Sequence, residues 1–142
     1  MSLKYESEIS KVEWCPPANA SPRTFRGFRF VHRAIDDKRN FLPAAILNPR
    51  RTFLKLHVRC SSFALSMFDT RDNAKNRYES LRMAFQRINR TIGTHLAEGN
   101  LTDADGAATP PDSSGHFDLF EDSASRVSAK FRIIEDLFNA DS

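Results

Sequence analysis

Residues 69–93, DTRDNAKNRYESLRMAFQRINRTIG, constrain the fold more than any other part of the chain. At about 100° per residue, Ala74, Tyr78, Leu81, Phe85, Ile88 and Ile92 fall on one stripe, the signature of an amphipathic helix with one buried face. Asp69 is placed to cap its start, with Asp72 near the free N–H groups of the first turn. Arg87 and Arg90 lie near the negative end of the helix dipole, and Gly93 suits a left-handed stop. One long helix over about residues 70–92 therefore presents a Tyr78–Phe85–Ile92 side that the rest of the chain must cover.

Shorter alternating runs can supply that cover. In TFRGFRFVHR (24–33), Phe28 and Phe30 share a face with Arg26 and His32, while Arg29 and Val31 face the other way, as in a strand. Gly27 marks a bulge or a close backbone approach there. In TFLKLHVRC (52–60), Leu54, Leu56, Val58 and Cys60 alternate with Phe53, Lys55, His57 and Arg59, giving a strand with one apolar and one largely basic face. ALSMF (64–68) reads as a short strand feeding the helix, and 94–101, 116–120 and 126–133 read as further strands. The last of these places Val127, Ala129, Phe131 and Ile133 on one side.

Between these runs the breakers collect. FLPAAILNPRR (41–51) is extended or briefly helical, and 1–22 is an irregular arm whose Pro16, Pro17 and Pro22 cannot donate to a ladder. Trp14 is expected to close one end of a core. Residues 102–115, dense in Asp, Gly, Pro and Ser, read as a long flexible loop. IEDLFNADS at the end reads as a short turn of helix. The sum is one α+β domain over 1–142, a mostly antiparallel sheet packed on one long amphipathic helix.

Twelve Phe and a hydrophobic content of 40% are enough for a real core. The longest apolar run, FLPAAIL, falls well short of the roughly 20 residues of a membrane span. MSLKYESEIS lacks the apolar segment of a signal peptide. Cys15 and Cys60 form no CxxC pair, and two ordinary thiols in a cytoplasmic protein are the expectation. The net charge of +3 conceals an asymmetry: residues 1–95 carry 18 Lys or Arg against 8 Asp or Glu (+10), and 96–142 carry 3 against 10 (−7). Either the halves neutralise one another in the fold, or the basic half meets an acidic partner.

Motifs for chemistry are sparse. His32, His57, His95 and His116 belong to no HxH or HExxH spacing, so no metal site is expected. His116 follows a Gly and the long loop, a place where reactive side chains are often presented. DADG (103–106) lacks the third ligand and the distal Glu of a calcium loop and reads as an Asx-type turn. Ser61, Ser62 and Ser66 sit in no GxSxG elbow or SxxK pair, and no glycine loop is built to cradle phosphate, so no cofactor is expected. On the helix, Arg71, Lys75 and Arg82 line one border of the apolar stripe.

One ordering of residues resembles a known family. RGFRF supplies an arginine on an early strand (Arg26 or Arg29), SSFALS a serine on a middle strand (Ser62 or Ser66), and FEDS a late glutamate (Glu121). That order is similar to ADP-ribosyltransferase-like domains, although no Glu-x-Glu or Gln-x-Glu pair precedes Glu121. The resemblance implies a pocket in which Arg29, Ser66 and Glu121 converge near His116, acting on NAD.

The expected function is that of a non-enzymatic interaction module or accessory subunit, contacting a protein partner or a second copy, with no membrane involved. Arg71, Lys75 and Arg82 are the expected contact residues. Two alternatives stand beside it: nucleic-acid binding through the same basic helix edge, and the ADP-ribosyltransferase-like enzyme.

Overall fold

The computed structural model describes residues 2–139. Its centre is a seven-stranded, wholly antiparallel sheet in the order β1-β5-β6-β3-β2-β4-β7. The strands are β1 (Ser21–Pro22), β2 (Phe25–Val31), β3 (Leu65–Phe68), β4 (His95–Leu101), β5 (Gly106–Ala108), β6 (His116–Glu121) and β7 (Phe131–Asp136). The helices are α1 (Glu6–Ile9), α2 (Ala44–Leu47), α3 (Leu56–Ser61), α4 (Arg71–Ala84) and α5 (Ile88–Thr91). The α+β class and the antiparallel sheet match what the alternating runs imply.

Strand alternation sorts the core onto two faces. On one, Val31, Leu65, Met67, Ala97, Leu101 and Phe117 pack together with Phe131. On the other, α4 lays Ala74 and Tyr78 over Phe28, Phe68 and Leu96. The Tyr78 ring meets Phe30 edge-on at 5.3 Å, and its hydroxyl donates to the Gly93 carbonyl at 2.9 Å, so the ring and its polar tip are both satisfied while fully buried. Gly27 and Gly99 pair across β2 and β4. At Gly27 neither a bulge nor a backbone contact forms; the space is filled by a side chain, and a Cβ there would sit 2.8 Å from the Met67 sulfur, as one at Gly99 would sit 2.7 Å from the Phe131 ring.

The helix is shorter than its periodicity implies. α4 ends at Ala84, Phe85 takes extended angles (φ −133°, ψ 123°), and α5 follows as a separate turn. The Phe85 ring stands 60% exposed, whereas Tyr78 and Ile88 are buried. The reason is length. α4 is the crossover between β3 and β4, which run the same way with β2 between them. Its 14 residues span about 21 Å, close to the roughly 24 Å of seven-residue β4, whereas an unbroken helix over 70–92 would run to about 34 Å and overshoot the sheet. The cap also moves by one residue: Thr70 accepts the Asn73 N–H, and Asp69 instead accepts from the Asn73 side chain.

Four other segments depart from expectation. Residues 52–60 are no strand: 52–55 are irregular and α3 follows, leaving Leu54 86% exposed and burying only Cys60. No neighbouring strand is placed to pair with them, and a short apolar alternation does not by itself choose strand over helix. Cys15 and Cys60 are not free thiols but a disulfide, tying the arm to α3 across 45 positions of chain. The arm itself carries α1 and β1, and Trp14, at 81% exposed, closes no core. In 102–115, a 3-10 turn (Asp103–Asp105) and β5 form instead of loop alone: Thr102 and Asp105 cap one another, and Asp105 accepts from the Ser125 hydroxyl and pairs with Lys130. At the C-terminal end, Val127–Lys130 is a 3-10 turn and β7 runs on to Asp136. Residues 140–142 of the expected terminal helix turn lie outside the described residues.

Candidate functional site

Strands β2 and β3 share only the pair Phe28–Phe68 and then part. Arg29 bridges the gap: it starts from the same face as Val31, and its guanidinium donates to the carbonyls of Asn40 (2.8 Å) and Ser66 (2.7 Å). Burial lowers its pKa to about 10, with the Glu121 charge opposing the drop. Buried Asn40 fixes the flanking loop by accepting the His32 N–H at 2.6 Å and donating to the Ala34 carbonyl at 2.8 Å. With the strands parted, a cleft of about 1530 Å³ opens over β3 and β6, walled by the α2–α3 segment on one side and by α4 and α5 on the other.

The cleft floor carries a polar constellation. Ser66 pairs opposite Asp118 and Phe68 opposite His116, so all four lie on the α4 face of the sheet. The Ser66 hydroxyl is 2.5 Å from His116 Nε2, and Asp118 Oδ1 is 3.9 Å from the same nitrogen. The Phe68 ring meets the imidazole edge-on at 5.5 Å. Asp112 accepts the His116 backbone N–H at 3.0 Å and is itself held by the Ser114 hydroxyl and N–H. Burial lowers the His116 pKa, the Asp112 charge opposes this, and Arg77 reinforces it. The ring is therefore neutral at pH 7 and free to accept a proton. Burial and the Asp112 charge raise Asp118 to about 6.

The rim is basic. Arg39, Arg50, Arg51, Arg77 and Arg90 line the cleft, and among the described residues Asp118 is the one acid in its lining. Arg39 is paired with Asp37, and Arg51 lies over the Phe53 ring at 4.8 Å. Among the described residues, Arg50, Arg77 and Arg90 make no ion pair with a carboxylate. Exposed Phe85 and half-buried Phe53 add aromatic faces from opposite walls.

The cations expected on the helix edge are engaged elsewhere. Arg71 and Lys75 both pair with Glu135 of β7, at 2.6 and 2.9 Å, and Arg82 lies over the Phe138 ring and donates to the Leu137 carbonyl. They hold α4 to the last strand. Of the enzyme set, Ser66 and His116 meet, and Arg29 touches Ser66 through the backbone carbonyl. Glu121 alternates with Phe117 and Leu119 onto the opposite face, pairs with Lys4 at 2.8 Å and does not line the cleft. The geometry implied by the ADP-ribosyltransferase-like order, with arginine, serine and glutamate around one pocket, is therefore not formed.

His32 lines the cleft, His95 contacts Thr94 and Asp136, and His57 is exposed on α3. Among the described residues, no three His, Cys, Asp or Glu side chains are grouped to hold a metal ion. The rim arginines and Asp118 are the site residues that periodicity and motif spacing do not reveal. One composition signal does point to part of the rim: between Asp37 and Asp69 the chain has six Lys or Arg and no acid. Protein-family models, curated proteins and solved structures compared with this chain give no match.

Proposed function

We propose that the protein binds single-stranded nucleic acid along the basic cleft. The observation that carries this reading is the set of guanidinium groups on Arg50, Arg77 and Arg90, held at one groove without carboxylate partners among the described residues. Unpaired cations on fixed elements suit phosphate, and aromatic faces between them suit bases. The cleft volume, about 1530 Å³, exceeds the roughly 300–1,000 Å³ of small-molecule sites, and it is open to solvent, which suits a polymer. The break after α4 gains a purpose here, because it leaves the Phe85 ring facing the groove. The reading needs no cofactor.

Fluorescence anisotropy with a labelled oligothymidylate tests it. Binding should weaken as salt rises, and Arg77→Glu with Arg90→Glu should reduce both affinity and the steepness of that dependence. Absence of binding at low salt removes the reading.

A protein partner or second copy is the other reading, carried by the exposed apolar side chains of Leu54 and Leu56 at the start of α3. Sedimentation velocity over a concentration series tests the second copy. Self-association abolished by Leu54→Lys supports it, and a monomer at every concentration removes it. Among the described residues, no helix is long and apolar enough to cross a membrane. The cytoplasmic expectation rested in part on two free thiols. The Cys15–Cys60 bridge takes that support away, because such bonds persist where thiols are oxidised.

A further inference from the structure

Strand binding alone has no use for the pair on the cleft floor. Ser66 is exposed rather than packed away, and its hydroxyl lies 2.5 Å from His116 Nε2 beneath the arginine rim. A serine that merely satisfied a structural histidine would not need to open onto the groove. We infer that Ser66 is a nucleophile toward phosphodiesters, with His116 as its base and Arg77 holding the charged phosphate oxygens. The inference rests on the nucleic-acid reading of the cleft and adds a reaction to it.

In the Nδ1–H tautomer, the Ser66 hydroxyl donates to Nε2 and the proton has a direct path to the ring. The imidazolium so formed has support on two sides. Asp118 Oδ1 is 3.9 Å from Nε2, and the Asp112 carboxylate, locked by Ser114, favours the charged ring. Phe68 and the Asp112 bond to the His116 N–H fix the ring's position, as a base in register with its nucleophile requires. Arg77 opposes ring protonation in the free protein. A phosphate bound to Arg77 neutralises that opposition, so His116 becomes a better base when substrate is present.

The chemistry closes with water as the sole co-reactant. Ser66 Oγ bonds to phosphorus, its proton passes to His116 Nε2, and the bond from phosphorus to the leaving oxygen breaks as that oxygen takes the proton from Nε2. Water then attacks the phosphoserine diester and gives its proton to Nε2. The P–Oγ bond breaks and Ser66 regains its proton. One P–O bond is hydrolysed per cycle.

The probe is bis(4-nitrophenyl) phosphate, a small diester that does not depend on strand binding, with release of 4-nitrophenolate as the readout. The wild type should release it, and Ser66→Ala and His116→Gln should each lower the rate by at least about 100-fold. Both variants should unfold at nearly the wild-type temperature, which separates lost chemistry from lost fold. Tryptic mass spectrometry of a quenched reaction should find the phosphoryl adduct on Ser66. Equal rates in the wild type and Ser66→Ala overturn the inference, as does a wild type with no turnover. Oligothymidylate binding by the wild type is measured separately. Binding without turnover removes the reaction and keeps the cleft reading. Turnover without binding keeps the nucleophile and removes the strand as its substrate.

Discussion

Two sets of cations lie on or beside α4, and the chain treats them in opposite ways. Arg71 and Lys75 reach the same carboxylate on β7, and Arg82 covers the Phe138 ring and donates to a terminal carbonyl. Arg77 and Arg90, joined by Arg50 from the facing wall, line the cleft with no acid paired to them among the described residues. A helix row of basic residues therefore says little about function until its neighbours are known. Glu135 is far from Arg71 in sequence but adjacent in space, and its carboxylate engages both Arg71 and Lys75. The groove cations remain available because, among the described residues, Asp118 is the one acid lining the cleft and it forms no ion pair with them.

The largest effect expected from breaking this contrast is at the cleft wall. The α2–α3 segment is tethered through Cys60, and removing the bridge with Cys60→Ser should lower stability by about 4 kcal/mol for a closed loop of this length. Denaturant titration reads that loss. Groove binding should fall with it, while a wild-type denaturation curve would show that the wall does not depend on its tether.

Next is the rim. Arg77→Glu with Arg90→Glu should weaken oligothymidylate binding by about 100-fold, which is about 2.7 kcal/mol, and reduce the salt slope by about two. The melting temperature should change little, because these groups make no ion pair among the described residues. An equal loss of binding from Arg71→Glu, without loss of stability, would abolish the distinction between the two sets.

Asp118 follows. Its pKa of about 6 lies above the ordinary value of about 3.9. The folded state therefore holds a proton that the unfolded state has lost between those values, and this group makes stability fall as pH rises from about 4 to about 6. Asp118→Asn should remove that slope and raise stability at pH 7 by about 2 kcal/mol, with little change at pH 4. Urea midpoints at the two pH values measure it, and the same gain at both would place the cost outside ionisation.

The smallest effect belongs to Glu135. Glu135→Gln leaves Arg71 and Lys75 without their shared carboxylate and should lower stability by about 1 kcal/mol, since both cations are half exposed. Oligothymidylate affinity should stay within about twofold. A marked rise in affinity would mean that the helix edge is a binding surface held in check.

The stripe from Ala74 to Tyr78 was legible because burial on one helix face imposes its own period, whereas Gly27 was legible only as a tight place in a strand, since what fills it is the remote Met67 side chain and not backbone. Phe85 misled because the stripe continues through it in sequence, whereas the sheet beneath ends first. Leu54, Leu56 and Val58 misled because alternation describes a strand only where a neighbour offers a ladder. Of the site, Ser66 and His116 were visible as residue types on the right strands. Their contact was not, since it comes from the register of β3 on β6 across a separation of 50 residues.

What the sequence determined alone was local: which segments are apolar on one side, that a helix starts near Asp69, and where charge of one sign accumulates. Those properties depend on neighbours within a turn or two of chain. Only the tertiary structure decided that the two cysteines meet, where the long helix must stop, and which arginines lie away from the described carboxylates. Each of those is settled by distances between residues remote in sequence, and neither period nor composition records such distances.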